Sequence, residues 1–98
     1  MLNELIMFLD TENDDLWGDD VCCLASKILH ENRDENLKEI IRVWRDWPAK
    51  RQEHLAYILG ESSSPLEKIL LEEMMLSENE DVAYEAKESM KEYVRRNE

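Results

Sequence analysis

Glycine and proline are scarce in this chain. Its 98 residues hold two of each, where average usage would place about 12 together. Turn-rich sandwiches and barrels need more of both, so the shortage favours helices joined by short connections. Cysteine occurs only as the neighbouring pair Cys22-Cys23. A small secreted domain would carry several spaced cysteines, so a disulfide framework is excluded and a reduced cytoplasm is expected. Basic residues are outnumbered, 12 against 24 acids, for a formal charge of −12. A phosphate backbone repels such a surface, so direct nucleic-acid binding is not expected. Long apolar runs are missing too. The opening MLNELIMFLD has no basic region and is broken by Asn3, Glu4 and Asp10, so it does not read as a secretion signal. No stretch reaches the roughly 20 apolar residues of a membrane span.

What is present is helical periodicity over one expected domain, residues 1–98. Leu2, Leu5, Ile6 and Leu9 mark a first helix that ends at the polar stretch from Asp10 to Asp15. Val21, Leu24, Ala25, Ile28 and Leu29 line a second. A third follows Asn32, whose spacing to Glu35 is that of a capping box, and carries Leu37, Ile40, Ile41, Trp44 and Trp47. Pro48 stops it and opens a fourth, with Leu55, Ile58 and Leu59, that Gly60 ends. Ser64-Pro65-Leu66-Glu67 combines an N-cap serine, a proline at the first helical position and a capping-box glutamate. Ser77 to Glu80 repeats that spacing before a sixth helix with Val82, Ala86, Met90 and Tyr93 inward.

The helices read as pairs. Leu5-xx-Phe8-Leu9 returns as Leu37-xx-Ile40-Ile41 and Leu66-xx-Ile69-Leu70, and Asp20-Val21-xxx-Ala25-xxx-Leu29 returns as Asp81-Val82-xxx-Ala86-xxx-Met90. The fold expected is all-α, about six helices in three stacked antiparallel hairpins. On the stretch Asp81-Val82-Ala83-Tyr84-Glu85-Ala86 the chain resembles HEAT-like repeat arrays. That resemblance implies an aspartate cap, inward valine and alanine, and second helices lining a surface for protein binding.

No catalytic or metal-ligating pattern stands out. Cys22, Cys23, His30 and His54 lack the CxxC or HExxH spacing that puts ligands on one helical face. Ser62-Ser63-Ser64 reads as a loop and a cap. No cofactor, metal or enzymatic activity is expected. Charge is more informative. Residues 1–36 carry −8, residues 37–60 carry +2, and residues 61–98 carry −6. In the last helix Asp81, Glu85, Glu88 and Glu92 fall within a stripe of about 60° beside the apolar face. Like charges spaced this way destabilise a helix by about 0.2–0.5 kcal/mol per pair. The stripe is either a solvated face or a row of carboxylates built to meet cations.

Aromatic residues stand near this acidity. Trp17 lies among Asp14, Asp15, Asp19 and Asp20 at an expected loop or helix entry, while Tyr57 and Tyr84 fall opposite the expected core. Charge-ringed aromatics are common in binding hot spots. The candidate partner-binding residues are therefore Trp17, Asp19, Asp20, Tyr57, Asp81, Tyr84, Glu85, Glu88 and Glu92. In size, charge and helical build the chain is similar to the small acidic immunity proteins of bacterial toxin–immunity pairs, including those of contact-dependent growth inhibition. The resemblance implies a cytoplasmic protein that neutralises a cognate basic toxin domain, a nuclease for example. A HEAT-like adaptor for a cellular partner, a nucleic-acid mimic and a hydrolase with a hidden carboxylate pair are the other readings.

Overall fold

The structure, a computed structural model, describes residues 2–98. Six helices follow one another, with no strand among the described residues. They are α1 (Asn3–Leu9), α2 (residues 14–31), α3 (Arg33–Val43), α4 (Ala49–Ile58), α5 (Pro65–Met75) and α6 (Glu80–Arg96). α1 packs on α2 and α4, α4 packs between α2 and α6, and α5 packs on α6 and α3. The middle pair is the open one, since α3 leans on α5 more closely than on α4. Leu5, Leu9, Ala25, Leu29, Leu37, Ile40, Leu55, Leu70, Met74, Val82 and Ala86 are sealed from solvent in one core shared by all six helices.

α2 starts earlier than the periodicity predicts. Asn13 caps it by accepting from the Leu16 amide at 3.0 Å. Residues Trp17–Val21 then form a π-helical turn before the α-helix resumes at Cys22. The spacing of the buried residues gives the reason. Trp17, Val21, Ala25 and Leu29 recur every fourth residue, a wider interval than the 3.6 of an α-helix, and one widened turn keeps all four on the core face. Asp20 therefore lies inside a helix and cannot act as a cap.

Several predicted caps change hands. Asn32 makes no capping bond, because a one-residue junction separates α2 from α3. Asn36 serves there instead, donating from Nδ2 to the carbonyls of Leu29 at 3.1 Å and Ile28 at 3.4 Å. α6 is capped by Asn79, which accepts from the amides of Asp81 and Val82, so neither Ser77 nor Asp81 is the cap. Ser64 does cap α5, accepting from the Leu66 amide. Its expected partner Glu67 turns elsewhere. That carboxylate is fully buried and accepts from the Gly60 amide at 3.1 Å and from the Ser62 hydroxyl. Glu67 thus holds the α4–α5 loop from below, where the reciprocal half of a capping box would have used it at Ser64.

Of the two tryptophans expected in the core, Trp44 is buried and donates from its indole nitrogen to Glu73 at 3.0 Å. Trp47 is only half-buried, because a 3-10 turn at Trp44–Asp46 ends the helical register before it. The Arg51 guanidinium covers its ring at 5.3 Å. The three copies of the leucine pattern also differ in burial. Leu5 and Leu9 are inside in the first and Leu37 and Ile40 in the second, while Ile69 of the third is exposed.

Candidate functional site

The sequence-derived candidates divide into three groups in space. Trp17 is the main correction. It is 5% exposed and packs into the core, its ring stacked on His54 at 4.0 Å with the planes 9° apart. The acidic run around it marks a helix start, and the π turn points the indole inward. Trp17 is therefore a wall of the site with little surface of its own. Asp19 and Asp20 are exposed on the outer side of α2 and make no ion pair among the described residues. Tyr57 and Tyr84 are exposed as expected, at 48% and 61%.

The carboxylate stripe of α6 is not uniform. Lys91 pairs with Glu88 at 2.7 Å, and Glu92 takes Arg95 at 2.6 Å and Arg96 at 3.2 Å. The Arg95 hydrogen bond, with help from Arg96, holds the Glu92 carboxyl below its usual range. The end of the stripe near Glu92 is thus already neutralised by its own helix. Flexible side chains three and four residues on reach back across the angular gap that separates them on a helical wheel.

Glu85 is different. Partial burial and then the charges of Glu53, Glu88 and Asp81 push its carboxyl above the ordinary value of 4.5. The crossing of α4 and α6 brings Glu53 to this carboxylate, a neighbour that no local spacing could reveal. Together with Asp14 from the start of α2, Glu53 and Glu85 line a cleft of about 240 Å³. Trp17, His54 and Tyr57 line its apolar part, with Tyr57 edge-on to Trp17 at 6.0 Å. Lys50 is the one cation on the cleft, 3.0 Å from Asp14 and 3.6 Å from Glu53. Its ammonium is raised first by the hydrogen bond to Asp14. Asp14, Lys50, Glu53 and His54 were not among the residues expected from the sequence.

The sign of the Glu85 shift gives a stability prediction. A carboxyl whose folded value lies above its unfolded value holds its proton more tightly when folded. Its charge therefore removes stability as pH rises through and above 4.5. Glu85→Gln should raise stability near neutral pH by about 0.5–1 kcal/mol, the size of two like-charge pairs on a helix. That is a melting shift of about 2–6 °C for a domain this small. The gain should vanish below the carboxylate range and shrink with salt, and thermal unfolding of both proteins across pH measures it.

Other concave surfaces are less organised. A groove of about 700 Å³ separates α1 from α3, with Leu2, Ile6, Val43 and Trp47 beneath Glu39 and Arg42. A hollow of about 310 Å³ holds Cys22, Cys23, Ser26, His30 and Glu61. Burial pushes the Cys22 thiol up, away from the thiolate that nucleophilic attack requires. His30 Nδ1 donates to the Ser26 carbonyl at 2.7 Å. Among the described residues no group of three or more His, Cys, Asp or Glu is placed to hold a metal ion, and no helix is long and apolar enough to cross a membrane. Comparisons with known protein families, with curated proteins and with solved structures find no match for the chain.

Proposed function

We propose that this chain is a binding protein that neutralises a cationic partner through the face formed by α2, α4 and α6, and that the partner is a basic toxin domain such as a nuclease. The observation that carries this reading is the crowding of like charge at Glu85. Partial burial comes first, and Glu53, Glu88 and Asp81 then add to the cost of ionising it, although a lysine at Asp81 or Glu88 would relieve the helix. A positive surface laid over the four carboxylates turns that cost into attraction and steers the encounter. Tyr57 and Tyr84 add exposed aromatic area on the same two helices, α4 and α6. A toxic nuclease is cationic where it binds nucleic acid, and the small acidic helical build resembles that of immunity proteins.

A second reading has a different surface in its favour. Met75, Met90 and Val94 line an apolar groove between α5 and α6. An adaptor for an ordinary cellular protein could dock there. Growth separates the two readings. The C-terminal domain of the protein encoded immediately upstream is expressed with and without this chain. Growth arrest by that domain alone, relieved by this chain, is the expected result. Arrest without relief, or no arrest, would favour the adaptor and leave the toxin reading without support.

A further inference from the structure

We infer that the cleft between Asp14, Glu53 and Glu85 is a socket for one arginine side chain of the partner, occupied at its mouth in the free protein by this chain's own Lys50. The inference rests on the cationic-partner reading above and names the group that such a partner would insert.

The polar groups around the socket are matched to a donor. Three are carboxylates, contributed by three different helices. The fourth is His54, which is only 2% exposed. Its Nδ1 lies 2.7 Å from the Leu9 carbonyl. A carbonyl can only accept, so Nδ1 carries the hydrogen, and in the neutral ring Nε2 is a bare acceptor. One face of the ring is covered by Trp17 and the Nδ1 edge is held against Leu9. The little of His54 that solvent reaches therefore opens on the cleft. Nε2 has no hydrogen-bond partner within the protein and is not sealed from solvent, so it stays open to a donor entering from the cleft. This acceptor is independent of the acidic cluster and asks for a ligand N–H.

A guanidinium meets these demands better than an ammonium. Its planar fork of five donors can serve a ring nitrogen and two carboxylates together, and it stacks on aromatic rings such as the half-exposed Tyr57. At about 240 Å³ the cleft is smaller than the roughly 300–1,000 Å³ of drug-sized sites, which suits a side chain. Lys50 now bridges Asp14 and Glu53 from an exposed position on a flexible stem. An entering arginine would release it to solvent.

The test needs no partner protein. N-acetyl-arginine methylamide and its lysine counterpart are titrated into the full chain, with the His54 ring and Trp17 indole signals followed by NMR. The expected result is saturable arginine binding with a millimolar dissociation constant, weaker or unsaturated for lysine. Lys50→Met should tighten arginine binding about threefold, the effect of removing one competing exposed ion pair. Glu53→Gln with Glu85→Gln should weaken it about tenfold or more, as expected for lost charge-assisted bonds. Gly18→Leu supplies a block that leaves the core untouched, because Gly18 lines the cleft and has open space where its side chain would begin. Shifts that never saturate, that are equal for lysine, or that persist in Gly18→Leu would overturn the socket. Growth rescue without arginine binding would keep the cationic-partner reading and remove the socket alone. Arginine binding without rescue would keep the socket and remove the toxin reading.

Discussion

Reversing Glu53, Asp81, Glu85 and Glu88 to lysine is expected to slow association with a basic partner by about tenfold to hundredfold at low ionic strength, the span over which electrostatic steering acts. The four reversals move the formal charge from −12 to −4, two units each. A control with the same change distinguishes local from global effects. Glu4, Glu31, Glu72 and Glu78 are exposed and none lines the cleft. At physiological salt, where the Debye length is about 8 Å, their reversal should lower the rate far less. The salt dependence should flatten in the first variant and persist in the second. Glu92 is left out of the set because two arginines pair with it, whereas Glu53 and Glu88 each have a single lysine partner. Stopped-flow association at several salt concentrations measures both effects. Equal slowing in the two variants would assign the effect to net charge and leave the cleft without a role.

Glu67→Ala should destabilise the fold by about 3 kcal/mol, the largest effect expected from a single substitution here. The change strips the acceptor from the buried Gly60 amide and the Ser62 hydroxyl, each costing about 1–3 kcal/mol when orphaned, and leaves a void. Removing a buried carboxylate that has no cation beside it recovers part of that cost. Glu67→Gln keeps one acceptor and should lose about 1 kcal/mol. The loop that Glu67 anchors is tied to α6 from above. Tyr93 donates to the Ser64 carbonyl and Asn97 to the Ser62 carbonyl, while Ser89 donates to the Ala56 carbonyl of α4 itself. Gly60 sits at φ +97°, with the Ser89 carbonyl oxygen 2.4 Å from where a side chain would begin. No other residue fits there. Gly60 therefore lets the end of α4 close against α6 at Ser89, and Glu67 holds the loop that carries it. Chemical denaturation of the two Glu67 variants tests the ranking, and an alanine variant as stable as its parent would contradict it.

Local signals carried far in this chain. The number of helices, the start of α5 at Ser64-Pro65 and the exposure of Tyr57 and Tyr84 all follow from periodicity and capping chemistry, which act within a few residues. The crowding of Asp81, Glu85 and Glu88 was legible for the same reason, since they sit on adjacent turns of one helix. What the sequence hid depends on contacts between helices. Trp17 looked like a surface aromatic because its neighbours in the chain are acids, yet its neighbour in space is His54. The four-residue interval from Trp17 to Leu29 did carry the sign of a widened turn. Glu53 stood out from no pattern and Asp14 only as one of the acids around Trp17, and only the crossing of α2, α4 and α6 brings them together. Glu67 carried a capping signature that was half correct, because the loop beneath it offered better donors than the serine before it.

The measurement that bears most directly on the charge crowding is a paired one on a single variant. Glu85→Gln and its parent are compared for melting temperature and for affinity to a basic domain whose toxicity the chain relieves in the growth test, under the same conditions. A melting temperature that rises while affinity falls is the expected result, since the strain on Glu85 would then be retained for the partner. A variant that is more stable and binds as well as its parent would contradict it, and would reduce the acidic face to a solvated surface.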